Sequence, residues 1–100
     1  VTYGDITINR NSKIVTMGDS QLDLTPNEYN LLCYLMEHQE RAVSRNELLD
    51  KVWGYDSIVE TRAADDTVRR LRKKIADSRV VIDTVWGFGF RLKEREDCDD

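Results

Sequence analysis

The sequence predicts an α+β domain: a small N-terminal antiparallel sheet, a core of three helices and a C-terminal β-hairpin. Three observations carry this. Short runs of period two, broken by turn residues, fill residues 3–25. Capping-box strings open helical periodicity at Thr25 and again at Ser44. Near the end, two strand-like runs flank a turn containing Gly87 and Gly89.

In the N-terminal part Ile6 and Ile8 alternate with polar residues, and Asn9-Arg10-Asn11 reads as a turn. Ile14-Val15-Thr16-Met17 is a second run, Gly18-Asp19 a second turn, and Gln21-Leu22-Asp23-Leu24 a third run. In Thr25-Pro26-Asn27-Glu28 the threonine caps, the proline suits the first helical position and the glutamate closes the box. Tyr29, Leu31, Leu32, Leu35 and Met36 share one arc, so this helix buries a face as far as about His38, with Cys33 packing at its edge. Ser44-Arg45-Asn46-Glu47 repeats the capping pattern, Leu48, Leu49, Val52 and Trp53 follow at helical spacing, and Gly54 is the expected stop.

A long polar helix is expected from a cap at Thr61 to about Asp77. Ala64, Val68, Leu71 and Ile75 form one narrow apolar stripe, and Arg62, Asp66, Arg69, Arg70 and Lys73 lie opposite it. A firmly seated helix whose far face carries long cationic side chains is what insertion into a DNA major groove requires. Val80-Val81-Ile82-Asp83-Thr84-Val85 and Phe90-Arg91-Leu92 are the strands of the last hairpin, turned at Trp86-Gly87-Phe88-Gly89. The domain is expected over residues 1–93, with a charged, disordered tail over 94–100.

A chain of 100 residues suffices for one domain with a modest core. Hydrophobic residues at 40% and charged residues at 34% exclude a disordered chain. No apolar run reaches the length of a membrane span and no export signal is visible, so a cytoplasmic protein is expected. The start at Val1 reads as the beginning of an excised domain. Cys33, Cys98 and the lone His38 have neither metal-ligand nor disulfide spacing and are read as ordinary side chains, the cysteines reduced. No Gly-rich phosphate loop, nucleophile elbow or His/Cys/Asp cluster is present in the sequence, so neither enzyme activity nor a cofactor or metal is expected.

The net charge of −4 is unevenly spread. Residues 62–79 hold seven basic and three acidic residues, a local +4, whereas the remainder holds eight basic and sixteen acidic ones. Such a segment either steers one face toward phosphate or is a solvated helix laced with ion pairs. Charge alone leaves both open.

Four strings decide more. Leu24-Thr25-Pro26-Asn27-Glu28-Tyr29-Asn30-Leu31-Leu32 resembles the start of the first helix in effector domains of the OmpR/PhoB response-regulator family. Ser44-Arg45, Leu48-Leu49 and Val52-Trp53-Gly54 resemble their second helix. Arg62, Asp65 and Val68-Arg69-Arg70-Leu71-Arg72-Lys73-Lys74-Ile75 resemble their recognition helix, and Thr84-Val85-Trp86-Gly87-Phe88-Gly89-Phe90-Arg91-Leu92 their wing. The likeness runs in order from about Tyr3 to Lys93.

The resemblance implies a winged helix-turn-helix that binds double-stranded promoter DNA. Arg62, Thr67, Arg69, Arg70 and Lys73 would divide between base edges and phosphates in the major groove. Arg45 and Trp53 would touch phosphate, and Thr84, Trp86 and Arg91 would flank the duplex with the wing. The loop Gly54-Tyr55-Asp56-Ser57-Ile58-Val59-Glu60 matches one that can contact RNA polymerase in family activators. A receiver domain in the intact chain, phosphorylated by a sensor kinase, would pair two such domains head to tail on DNA, the isolated domain being monomeric.

Three positions depart from the family pattern. Trp86 stands where a basic residue is frequent, Phe90 where tyrosine is, and Asp66 interrupts the basic face. Asp66 either pairs with Arg62, Arg69 or Arg70, or accepts from a cytosine amino group. Trp86 and Phe88 either stiffen the hairpin or touch DNA, and Arg72 and Lys74 either form surface ion pairs or bind phosphate. A protein-interaction winged helix without DNA affinity is the competing function, favoured by the acidic balance.

Overall fold

The computed structural model describes residues 1–53 and 62–94. Strands β1 (Thr2–Tyr3), β2 (Ile6–Asn9), β3 (Ile14–Met17) and β4 (Ser20–Leu22) pair antiparallel in that order. Register sets Tyr3 opposite Ile6 and Ile8 opposite Val15, so the buried members of three strands share one face. The turn between β1 and β2 needs Gly4, which has φ +59°. A Cβ there would also meet Val80 Cγ2 at 2.7 Å, so close packing and backbone both exclude a larger residue. Asp5, beside it, accepts from Ser78 Oγ at 2.5 Å and from Arg79 N at 3.3 Å, tying this sheet to the turn after the third helix.

Helix α1 (Pro26–Glu37) starts as expected: Thr25 Oγ1 accepts from Glu28 N at 3.2 Å, and Glu28 Oε1 accepts from Thr25 N at 3.1 Å. Leu31, Leu32, Leu35 and Met36 are buried, and Tyr29 is half-buried at the margin. Glu28 does more than cap. It is 1% exposed, and Lys74 Nζ lies 2.6 Å from its Oε1 while also donating to Asp23 O at 2.8 Å. Burial by itself would raise the Glu28 carboxyl; the hydrogen bonds from Lys74 and the Thr25 backbone, with the lysine's charge, outweigh it and hold the group below its ordinary value of 4.5.

Strand β5 (Val43–Ser44) leads into α2 (Arg45–Leu48), where Ser44 Oγ accepts from Glu47 N at 3.0 Å. The expected return bond of the capping box is replaced: the Glu47 carboxylate instead takes the Arg41 guanidinium at 2.8 Å and the Tyr34 hydroxyl. That hydroxyl bond, with burial, pushes the Tyr34 pKa up to about 12. A single helix through Trp53 is expected, but Leu49–Trp53 forms a wider π turn, and Leu49, Val52 and Trp53 are half-buried. The expected stop at Gly54 and cap at Thr61 lie outside the described residues.

Helix α3 (Arg62–Lys74) buries Ala64, Val68 and Leu71, and Ile75 continues that stripe just beyond it. It ends three residues earlier than expected, at a turn in which Ser78 N donates to Ile75 O. Strands β6 (Val80–Val85) and β7 (Gly89–Glu94) form the hairpin, turned through Gly87 at φ +73°, and β5 adds to the outer edge of β7. Gly89 permits that pairing, since a Cβ there would stand 2.0 Å from Val43 O. β7 extends through Glu94, and residues 95–100, including Cys98, lie outside the described residues. The two sheets and three helices share one core, with Ile6, Leu32, Leu35, Leu71, Ile82 and Leu92 among its members.

Candidate nucleic-acid interface

The seating of α3 decides which of its side chains are available. With its apolar stripe buried, Asp66, Arg69, Arg70 and Lys73 are exposed together on the opposite side. Arg69 is 72% exposed and lies 3.8 Å from Asp66, a loose i,i+3 pair that realises one of the two roles open to the aspartate. Arg62 is the first residue of α3, and its side chain lies outside what is described. Thr67 is 5% exposed, beside the apolar stripe and not among the side chains presented with Arg69.

A shallow cleft of about 240 Å³ opens between the start of α2, α3 and the hairpin, lined by Arg45, Asp65, Val68, Arg69, Arg72, Thr84 and Phe90. Arg45 Nε donates to Asp65 Oδ1 at 2.9 Å, and its guanidinium carbon lies 5.1 Å from the centre of the Phe90 ring. Arg72 approaches the same ring at 5.8 Å. Phe90, at the position where tyrosine is frequent in the family, is 3% exposed, and its ring is a buried platform for two cations.

Arg72 is bonded to the hairpin. Its Nε and Nη2 donate to Ile82 O at 2.9 and 2.7 Å, and Nη2 donates to Thr84 Oγ1 at 2.8 Å. It fastens α3 to β6. Lys74, likewise considered for surface pairing or phosphate, belongs to the buried Glu28 carboxylate.

Thr84 is half-buried on the hairpin face turned to α3, with its hydroxyl at the cleft. Arg91 is on the other face: it alternates with buried Phe90 and Leu92, stands opposite Asp83 and pairs with it at 3.1 Å. That placement removes Arg91 from the surface shared by α3 and Thr84. At the hairpin tip Trp86 is 91% exposed and Phe88 is also exposed. Trp53 is half-buried at the end of the π turn. The loop Gly54-Tyr55-Asp56-Ser57-Ile58-Val59-Glu60 lies outside the described residues.

The family model described as "Transcriptional regulatory protein, C terminal" matches residues 19–92. The chain belongs to this family. It is a winged-helix effector domain of the OmpR/PhoB type, the DNA-binding part of transcriptional regulators. The Klebsiella pneumoniae phosphate regulon transcriptional regulatory protein PhoB is 41% identical over 92 residues, which cover 90% of the chain and 40% of that protein. The chain thus spans well under half the length of the curated relatives it matches. The DNA-binding domain of Bacillus subtilis CssR superposes with a TM-score of 0.79 at 32% identity, covering 88% of this chain and 99% of that one. The Klebsiella pneumoniae RstA DNA-binding domain, solved in complex with RstA box, gives 0.80 at 26% identity, covering 92% and 94%. No helix among the described residues of this OmpR/PhoB-type domain is long and apolar enough to cross a membrane.

Proposed function

We propose that this domain recognises double-stranded promoter DNA by laying α3 in the major groove, with Arg69 and Arg70 reading base edges and Lys73 and Arg45 on phosphates. The observation that carries this is the exposure of Arg69, Arg70 and Lys73 together on a helix whose other side is locked into the core. A guanidinium offers two parallel donors to the O6 and N7 acceptors of guanine, whereas a lysine acts on phosphate as a point charge. Arg62 extends the same face by sequence, and Thr84 adds a hydroxyl from the hairpin; by the family resemblance Trp53 stands near a phosphate. Trp86, with no charge and almost full exposure, contributes a ring at the wing tip rather than electrostatic attraction to the minor groove.

In the intact regulator a receiver domain would bring two such domains to paired half-sites in the cytoplasm, and the segment 54–60 would face RNA polymerase. Tethering makes the second binding event intramolecular, so modest affinity per domain suffices.

Fluorescence anisotropy of a labelled duplex against the domain at several salt concentrations tests the central reading. Each domain neutralising about four phosphates gives an affinity that falls roughly 100-fold between about 50 and 200 mM salt. A flat salt response with no sequence preference refutes DNA recognition and leaves the protein-interaction reading in its place.

A further inference from the structure

We infer that Asp65 is a positioning residue for DNA binding: it holds Arg45 so that one edge of the guanidinium is presented, ready oriented, to a backbone phosphate. The inference rests on the DNA-binding reading above and adds to it a role for an acidic side chain on the binding face.

Two contacts fix the Arg45 guanidinium in complementary ways. The buried Phe90 ring, its centre 5.1 Å from the guanidinium carbon, bounds the group on one side. Asp65 Oδ1, accepting from Nε at 2.9 Å, sets its rotation. The two terminal nitrogens make no hydrogen bond among the described residues, and they are the pair whose parallel N–H groups match two phosphate oxygens. Arg72 shares the ring but is committed to Ile82 O and Thr84, so it is not an equivalent donor. Among the described residues Arg45 is the guanidinium over this ring whose terminal nitrogens carry no hydrogen bond, and Arg69 at the cleft wall adds charge on the same side.

Asp65 acts on a phosphate in two opposing ways. Its charge repels the anion, weakened by solvent because the side chain is 41% exposed. Its hydrogen bond removes rotational freedom that a long arginine side chain would otherwise lose on binding. The positioning effect is the larger, because the repulsion is screened whereas the ordering cost falls wholly on the binding step. An ion pair exposed to this degree on both partners contributes little to folding, so the two functions can be separated.

Substitution of Asp65 by alanine and by asparagine gives the test. Both variants lose the same charge, but asparagine keeps an oxygen that accepts from Arg45 Nε. Anisotropy with a labelled duplex of random sequence, roughly 30 base pairs long, reads phosphate binding without knowledge of an operator. Asp65→Ala is expected to bind about 2- to 5-fold more weakly than the wild type, and Asp65→Asn to recover most of that loss. Arg45→Ala is expected to abolish the difference between the two, with the melting temperature of each folded variant near that of the wild type. Equal affinities for Asp65→Ala and Asp65→Asn, or an Asp65→Ala variant that binds as tightly as the wild type, overturn the inference while leaving DNA binding intact. A wild-type domain with no salt-dependent duplex binding overturns the functional reading itself, and the inference with it.

Discussion

A Lys74→Met variant is expected to unfold about 10–20 °C below the wild type at neutral pH. The Glu28 carboxylate is almost fully buried, and Lys74 is the cation hydrogen-bonded to it, with the Arg70 charge adding a smaller effect. Removing the lysine leaves a buried anion with the Thr25 backbone N–H as its one donor among the described residues, and also frees the Asp23 carbonyl that Lys74 caps. Stranding a buried charge in this way costs about 2–3 kcal/mol where one partner retains some contact with water. In a domain of this size each kcal/mol moves the midpoint by about 4–8 °C.

The pH dependence has a definite sign. In the wild type the Glu28 pKa is depressed, so its contribution is present above the ordinary carboxylate value of 4.5 and is lost as the pH falls through the lower folded value. Without Lys74 its hydrogen bond and charge no longer lower the folded pKa, so the variant has less of this contribution to lose as the pH falls. The gap between the two proteins therefore narrows on acidification. Thermal melts followed by circular dichroism at pH 7 and pH 4 measure both effects. A second substitution, Glu28→Gln, should restore part of the loss in Lys74→Met, since the amide oxygen still accepts from Thr25 N without carrying charge. A midpoint within a few degrees of the wild type at pH 7 would show that the pair is not the anchor described here.

The second large effect concerns recognition. Arg69→Ala and Arg70→Ala are each expected to cost about 1–3 kcal/mol of affinity for a preferred site, roughly 5- to 150-fold, and to relax preference at one base position. Their exposure means that melting temperatures should hardly move. Arg45→Ala should instead weaken all sequences alike, because a phosphate is the same at every step. Selecting bound duplexes from a random pool with each variant distinguishes the two patterns. Unchanged selection and affinity in both α3 variants would move the reading surface elsewhere on the domain.

The parts of this architecture with a long period were legible in the sequence. Ala64, Val68, Leu71 and Ile75 repeat over three turns, and the burial of all four confirms the face of α3. The Thr25 box is local, confined to four residues, and forms as read. The two-residue strands β1 and β5 carry no period at all, and β5 is paired by a hairpin far along the chain, with Gly89 as its one local trace. Arg72 and Lys74 were illegible for a different reason: a long side chain chooses its partner from tertiary neighbours, here Ile82 and Glu28, that spacing does not reveal. Two other placements had signals in the sequence. Thr67 is three residues after Ala64 and four before Leu71, which on a helix sets it beside the stripe. Arg91 lies between Phe90 and Leu92, so alternation alone assigns it to the opposite face of the strand.

The fastening of α3 to β6 by Arg72 has a consequence for the duplex rather than for the protein. Three hydrogen bonds to Ile82 and Thr84 make helix and wing a single rigid caliper with a set opening. For a domain that binds as proposed, that opening must match the span from one groove across the sugar–phosphate ridge to the next. Where a sequence does not supply the span at rest, the duplex has to flex to meet it, at a cost that depends on its base steps. Stiff and pliable sites with identical contacted bases will then differ in affinity, so a side chain that braces the helix against the wing enters the selection of promoters.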